Sequence, residues 1–324
     1  MAIANELAID VSANATAMAN EIFGDGTTVL SATYTGDNLS SGIYTGADTT
    51  SAGVAPSDSG VILSTGHVDD FTNSSGTTNT NISSGTTTNT SGVDNHADFN
   101  TIAGTNTYDA SYLDVLFRPD GDTLTIDFVL SSEEYPEFAN SQYNDVVGVW
   151  VNGVQAQVTI GDGSASIGNI NQTDTQNIYV DNTSDQFNTE MDGFTITLTF
   201  VATVTPGADN TLRIGVADTA DTSYDTNLLI AGGSVQTTIV AQDDLVSYYT
   251  NTTHTMDVLT NDNSTTPGVL TVTHINDIAV TAGDTVTLAT GQQITLNADG
   301  TFPVVADGDV EPAYFTSTIE DTAR

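Results

Sequence analysis

Three of the eight glutamates in this chain fall within five residues, in Ser132-Glu133-Glu134-Tyr135-Pro136-Glu137. Clustered carboxylates repel one another unless they are protonated or bridged by a cation. Four further segments have the same character: Asp94-Asn95-His96-Ala97-Asp98, Asn144-Asp145, Asn188-Thr189-Glu190-Met191-Asp192-Gly193, and the set Asp218, Asp221, Asp225 and Asn227. Oxygen-rich loops of this kind suit a hard cation, because Ca2+ takes roughly six to eight oxygens from carboxylates, amide side chains and backbone carbonyls. The candidate ligands are therefore Asp94, Asp98, Glu133, Glu134, Glu137, Asp145, Glu190, Asp192, Asp218, Asp221, Asp225 and Asn227. No segment carries the EF-hand spacing, so a calcium site here belongs to the loops of a β-sandwich. The bland alternative for each cluster is a solvated loop end or a turn cap.

Acid pairs also serve hydrolases. Glu133, Glu134, Glu137 and Glu190 could supply the two carboxyls of a glycosidase. Such sites carry aromatic platforms, whereas the one tryptophan, Trp150, lies inside a strand-like run. Asp58-Ser59-Gly60 imitates half of an aspartic-protease site, but the second half is missing. The four histidines (His67, His96, His254, His274) are scattered, and only His96 sits in an acidic cluster where it could ligate a metal. There is no Gly-x-Ser-x-Gly elbow. The expectation is a protein without catalytic activity.

Composition narrows the field further. Lys+Arg is 3 and Asp+Glu is 42, for a formal net charge of −39 over 324 residues. The cations are Arg118, Arg213 and Arg324; there is no lysine and no cysteine. Nucleic-acid binding needs clustered Lys or Arg and is excluded as a class. Binding to an anionic membrane is disfavoured on the same ground, and no apolar stretch is long enough to insert. Disulfides, thiolate chemistry, Schiff bases and P-loops lack their residues. Aspartate outnumbers glutamate 34 to 8, and threonine reaches 56. Aspartate favours turns and threonine favours pleated surfaces, so the chain reads as all-β. Hydrophobic residues make up 38%, too many for a disordered acidic tail. A folded chain this acidic needs salt or bound divalent cations to offset self-repulsion, and both point outside the cell.

The elements that must position these acids follow from periodicity. Ile3, Leu7, Val11, Met18 and Ile22 recur at helical spacings and predict one amphipathic helix over about 3–23. Strand-like runs follow at Thr27–Tyr34, Gly42–Tyr44, Gly60–Ser64, Leu124–Leu130, Val146–Val151, Val154–Ile160, Phe194–Val204, Thr211–Val216, Leu228–Ile230 and Val235–Ala241. Asn152-Gly153 is the strongest hairpin signal. Residues 73–92 are low-complexity and read as a long surface loop. If the strands on either side of the Glu133–Glu137 loop pair, Asp145 meets that loop at one sheet end. After Asp243-Asp244 shorter runs recur, at Leu245–Tyr249, Met256–Leu259, Val269–His274, Thr285–Leu288 and Gln293–Leu296. This predicts a large β-sandwich domain over 1–241, with an N-terminal amphipathic helix, and a smaller Ig-like β-sandwich over 242–324.

Several segments together resemble a known family. Asp25-Gly26, Ala32-Thr33-Tyr34-Thr35-Gly36, Gly42-Ile43-Tyr44-Thr45-Gly46 and Gly60-Val61-Ile62-Leu63-Ser64-Thr65-Gly66 come in the order found in the choice-of-anchor L domain of bacterial surface proteins. So do Phe128 to Phe138, Tyr143-Asn144-Asp145-Val146-Val147-Gly148 and Asn188 to Gly193. The resemblance covers about residues 20–241. It implies a secreted or surface-displayed protein with no catalytic activity. Residues 242–324 resemble the cadherin-like, Ig-like repeats of large adhesins through Asp257-Val258-Leu259-Thr260-Asn261-Asp262 and Leu296 to Phe302. That likeness implies type I export by a C-terminal signal, in keeping with an N-terminus that shows no signal peptide. The expected function is a calcium-stabilised extracellular adhesion or matrix protein whose ligand is a surface glycan or a protein. The alternatives are a self-assembling subunit of a filament or surface layer, and a calcium-dependent glycan hydrolase. The last strand-like run, Ala313–Ile319, leaves the smaller sandwich one strand short by pattern. Either the protein continues beyond Arg324, or a second copy donates a strand and builds a homopolymer.

Overall fold

In the computed structural model, residues 5–72, 85–158, 160–173, 175–246, 252–265, 268–305 and 313–322 are described. Residues 73–84 of the low-complexity run and 247–249 of the expected strand Leu245–Tyr249 lie outside them. The chain forms two compact units, 1–174 with 179–237, and 175–178 with 238–324. The boundary therefore falls four residues before the expected one. Val235 and Gln236 still bridge to Phe23 and Thr125 in the first unit. Thr238 already turns to the second, where its carbonyl accepts from Thr265 N at 2.8 Å.

Among the described residues the first unit holds the strands β1 (Ala8–Asp10), β2 (Thr27–Thr35), β3 (Ser41–Thr45), β4 (Ser59–Ser64), β5 (Thr107–Pro119), β6 (Thr123–Ser132), β7 (Val146–Val151), β8 (Val154–Gln155), β9 (Ala165–Ser166), β10 (Tyr179–Asp181), β11 (Gly193–Thr195), β12 (Leu198–Thr203), β13 (Asn210–Thr219) and β14 (Thr226–Ala231). Three α-helices accompany them, α1 (Ala15–Ile22), α2 (Ala47–Thr50) and α3 (Ala97–Ala103). One sheet runs β1-β3-β4-β14-β6-β11-β10, with β12 also on β6; the other runs β2-β5-β13-β7-β8, with β9 also on β7. The strands within both sheets pair antiparallel, and the sheets pack as a sandwich.

Both faces of both sheets are covered, which explains the unbroken apolar runs in β7 and β14. On the first sheet, Ile62, Val129 and Leu229 face outward into a cluster with Leu7, Tyr44, Phe71, Met191 and Phe194. Their neighbours along each strand, such as Leu63, Leu130 and Leu228, therefore face the other sheet. On the second sheet, α3 covers the outer face, where Phe99 packs with Ala110, Tyr112, Val146, Trp150 and Ala217. Trp150 is thus core, as expected. The Asn152-Gly153 turn has φ of 52° and 75°, as a two-residue hairpin requires. The strand after it stops at Gln155, well short of Ile160.

The expected N-terminal helix is corrected to its second half. Residues Ala8–Asp10 instead add an edge strand to β3, with Ile9 opposite Tyr44. The Asp10 carboxylate then accepts from Ser12 N at 3.0 Å and Ser12 Oγ at 2.6 Å. Such local side-chain bonds compete with a helix and end it here. The helix starts only where Asn14 Oδ1 accepts from Ala17 N at 3.0 Å, and it buries Met18, Ala19 and Ile22.

The second unit holds β15 (Ile239–Val240), β16 (Thr253–Asp257), β17 (Asn263–Ser264), β18 (Leu270–Ile275), β19 (Ile278–Ala279), β20 (Thr285–Thr287), β21 (Gln293–Thr295), β22 (Thr301–Val305) and β23 (Ser317–Asp321). They pair as β15-β17, β16-β22, β19-β18-β23 and β20-β21 around a core that includes Ile275, Ile294 and Phe302.

Asn14→Ala should lower stability by about 1 kcal/mol, the usual cost of losing an N-cap. Asn14→Asp should leave it nearly unchanged. Differential scanning calorimetry of the unit-one transition checks this, and equal losses for both variants would contradict the capping role.

Candidate functional site

The end of the sandwich where β6, β7, β13 and β14 meet carries most of the predicted acids. The pairing expected from sequence does not occur: β6 and β7 lie in different sheets. Glu134 and Asp145 still approach, because the two sheet ends face each other. Strand periodicity explains how. Leu130 and Ser132 face the second sheet, and Glu134 continues their parity. Val146 faces outward, so Asp145 before it faces inward. Ile214 lies opposite Leu113 and Val149, and Asp218 continues that face past a bulge between Val216 and Asp218.

Asp145 ties the two sheets together. Its Oδ1 accepts from Thr219 N at 2.8 Å, and its Oδ2 accepts from Thr226 Oγ1 at 2.6 Å. Behind it stands a directed chain of donors. Glu134 N donates to Ser132 Oγ at 2.9 Å, and Ser132 Oγ lies 2.7 Å from Thr226 Oγ1. With Asp145 ionised, the Thr226 hydroxyl donates to it and the Ser132 hydroxyl donates to Thr226, so that every proton in the chain points toward Asp145.

The rest of this inner group is not satisfied in that way. Asp218 is 1% exposed, and neither of its carboxylate oxygens has an assigned donor, although the Thr65 hydroxyl and the Asp145 carboxyl approach it. Glu134 is also 1% exposed, with Oε2 unpartnered. Burial pushes Glu134 up to about 9, with the Asp145 and Asp221 charges adding to it. Burial likewise pushes Asp145 up to about 8, against the pull of its Thr226 and Thr219 bonds. Asp218 is raised well above the usual carboxylate range by burial and by the charge of Asp145. Asp221 stands half-buried at the mouth, its Oδ1 accepting from Ser223 N at 3.0 Å. The half-buried rings of Phe138, Tyr143 and Tyr224 contact one another beside these loops, at 5.7 Å and 5.2 Å between centroids.

A second group lies on the outer face of the first sheet. Ser131 is opposite Asn227, and Asn227 is opposite Ser64. Glu133 follows the parity of Ser131 and Val129. Its Oε1 accepts from Thr86 N at 3.0 Å, and burial, with Asp192 and Glu190 nearby, pushes it up to about 8. Asp225 accepts from Thr88 N at 2.7 Å and is pushed up to about 7, first by burial. Its carboxylate occupies the space that a side chain at Gly66 would take. Glu190 is buried, and Asp192 is pushed up to about 6 by burial and by the Glu137 charge.

Three predicted ligands do not join these groups. Asp98 is corrected to an ion-pair partner, with Oδ2 2.6 Å from Arg213 Nη1. That guanidinium also grips both Asp114 oxygens, at 2.8 and 3.0 Å, and lies over Tyr112. His96 caps α3 and packs edge-on against Phe99 and Tyr112, a structural role. Asp94 is exposed and accepts from Asp109 N at 3.3 Å. Glu137 is exposed. Sequence reading missed Asp109, which is 2% exposed with Oδ2 unpartnered. A lone Asp within the β-like run Tyr108 to Phe117 was the available signal.

Both described arginines are engaged away from the carboxyl groups, Arg118 with Asp209 and Arg213 with Asp98 and Asp114. Among the described residues no three carboxylate or imidazole groups close around one point at metal-ligand distance. A calcium ion there would draw on carboxylate pairs completed by hydroxyl, amide, carbonyl and water oxygens, a sphere ordinary for that ion. The oxygens of Asp218 and Glu134 that lack an assigned donor fit such a role. They fit an arginine or a zinc site poorly.

The family model described as the choice-of-anchor L domain matches residues 8–236, and the chain belongs to that family. The match ends one residue before the first unit does. No curated protein matches the chain. Membership makes this a surface-associated bacterial protein. Among the described residues no helix is long and apolar enough to cross a membrane.

The raised carboxyls fix the pH response of calcium-depleted protein. The folded state holds protons that the unfolded chain releases above about pH 4. Their stabilisation is complete below that pH and is lost as pH rises through about 6 to 9, the range set by Asp192, Asp225, Asp145, Glu133 and Glu134. In chelator, the melting temperature should fall steadily from pH 5 to pH 9, and Glu134→Gln should flatten the slope. A melting temperature that rises over this range would contradict the site as described.

Proposed function

We propose that this protein is a non-enzymatic, calcium-stabilised extracellular adhesion or matrix protein. One observation carries the reading: Asp218 is buried with no donor assigned to either carboxylate oxygen and with the Asp145 carboxyl against it, while Asp145 in turn acts on buried Glu134. An uncompensated buried charge costs several kcal/mol, roughly, so such a group either keeps its proton or meets a cation. The Thr219 N–H bond to Asp145 favours its ionised form against burial, which supports a cation as the partner. Asp145 and Asp218 belong to one sheet, while Glu134 and Thr226 belong to the other. A calcium ion among them fastens the open end of the sandwich, outside the cell where that ion is abundant. Surface association follows from the family; adhesion to a glycan or protein ligand is the reading that an acidic, cation-hardened β-sandwich serves best.

A calcium-dependent glycan hydrolase is the second reading, because Glu133 and Glu134 have the raised pKa that a general acid needs. Burial argues against it. Glu133 and Glu134 are 2% and 1% exposed, so a sugar ring does not reach them. They also meet different neighbours, Glu133 near Asp192 and Glu190 and Glu134 near Asp145 and Asp221, an arrangement that does not suit a pair flanking one glycosidic bond.

Calcium at a hundred times its dissociation constant should add about 2.7 kcal/mol. For a unit of this size the melting temperature should rise by roughly 5–10 °C over chelator at matched ionic strength. Asp218→Asn should remove most of that rise. Identical melting curves with calcium and with chelator would overturn the reading. In parallel, incubation with a panel of polysaccharides should release no reducing ends; cleavage abolished by Glu134→Gln would establish the hydrolase instead.

A further inference from the structure

We propose a second divalent-cation site, separate from the inter-sheet one, on the outer face of the first sheet, with oxygens from Glu133, Asn227 and Ser131. It shares the chemistry of the inter-sheet site but none of its ligands.

The separation shows in the neighbours. Glu133 and Glu134 follow the last residue of β6, and their side chains meet different neighbours: Glu133 meets Thr86, Asp192 and Glu190, whereas Glu134 meets Asp145 and Asp221. Glu134 goes inward with Ser132 and Thr226. Glu133 goes outward, continuing the row that carries Val129 and Ser131. Asn227 is directly opposite Ser131 on β14, so their side chains stand side by side on that face.

Three buried oxygens with no assigned donor belong to this face, where the Asp192 carboxyl also approaches that of Glu133. Glu133 Oε2, Asn227 Oδ1 and Ser131 Oγ have no hydrogen-bond partner. Their residues are 2%, 1% and 0% exposed, so bulk water does not supply one. Both longer side chains reach toward the same segment. Asn227 Nδ2 lies 3.0 Å from Met191 Sδ, and Glu133 faces Glu190 and Asp192 on either side of that methionine. The amide nitrogen is turned to the thioether, which leaves the carbonyl oxygen free for a ligand. A carboxylate, an amide oxygen and a hydroxyl, with no sulfur or imidazole, select a hard cation of the calcium type. Glu133 Oε1 is already fixed by Thr86 N, so Oε2 is held in place rather than free to rotate away.

The competing arrangement is a flipped Asn227 amide, with Nδ2 donating to Glu133 and no ion present. The two arrangements respond oppositely to Asn227→Asp. A cation site accepts the added carboxylate, whereas a flipped amide would be replaced by a charge facing Glu133.

The test is calcium stoichiometry by equilibrium dialysis of the full chain after chelator removal. The unmodified protein should bind two equivalents. Glu133→Gln and Asp218→Asn should each bind one, and Asn227→Asp should keep two. Ser131→Ala, a mild change, should weaken one of the two by roughly tenfold and leave the other alone. One equivalent, lost in Asp218→Asn and kept in Glu133→Gln, would overturn this second site while the inter-sheet site stands. One equivalent lost in Glu133→Gln and kept in Asp218→Asn would support it and overturn the inter-sheet site. No bound calcium would overturn both. Should Glu133→Gln fail to fold by circular dichroism, unchanged affinities in Ser131→Ala would overturn the proposal.

Discussion

The structure turns on carboxyl groups buried where two sheets end, in a chain with almost no cations to meet them. Forty-two acids face three arginines, and the two described arginines are spent on Asp209, Asp98 and Asp114. Desolvated carboxylates of one sign cannot stay ionised side by side without a counter-charge. The fold nevertheless sets Asp145 against Asp218 and near Glu134, and links it through Thr226 and Ser132 to the Glu134 backbone. Apolar residues at these positions would bury with less cost. The arrangement has a physical purpose if a cation belongs to it.

That constraint orders the rest of the first unit. The long strands β5, β6 and β13 set the inward and outward parity of every acid at the sandwich end. The irregularity beside Asp218 lies on β5, which takes three residues from Ser111 to Tyr108 where β13 takes two, so Asp218 keeps the inward direction of Ile214 and Val216. The loop from Thr219 to Asp225 then doubles back tightly, with Ala220 and Tyr224 at φ of 75° and 68°. Such left-handed residues persist only where the surroundings over-determine them. Gly66 leaves room for the Asp225 carboxylate, and residues 86–88 lay backbone N–H groups on Glu133 and Asp225. Covering layers on both outer faces keep water from all of this.

Much of this was legible in the sequence, and the limits have physical causes. Seven of the predicted ligands, including Glu133, Glu134, Asp145 and Asp218, are buried at the sandwich end. Local composition reveals them because acids flanking apolar runs must sit where strands stop. Strand partners were not legible. Pairing of β6 with β14 and of β7 with β13 joins residues some sixty to a hundred positions apart, which no local pattern encodes. The division of Glu133 from Glu134 followed once the parity of β6 was known. Asp98 was misread because Arg213, its partner, is distant in sequence. The N-terminal helix was overextended because Ile3 and Leu7 fit a helix spacing, while Leu7 in fact joins the outer core beside β1.

The most direct measurement is a crystal structure of calcium-loaded protein with anomalous diffraction data collected where calcium scatters strongly. The account predicts an anomalous peak between the sheets, with oxygens of Asp145 and Asp218 at about 2.3–2.6 Å from it. No peak there, with Asp145 and Asp218 drawn together on a shared proton, would contradict it.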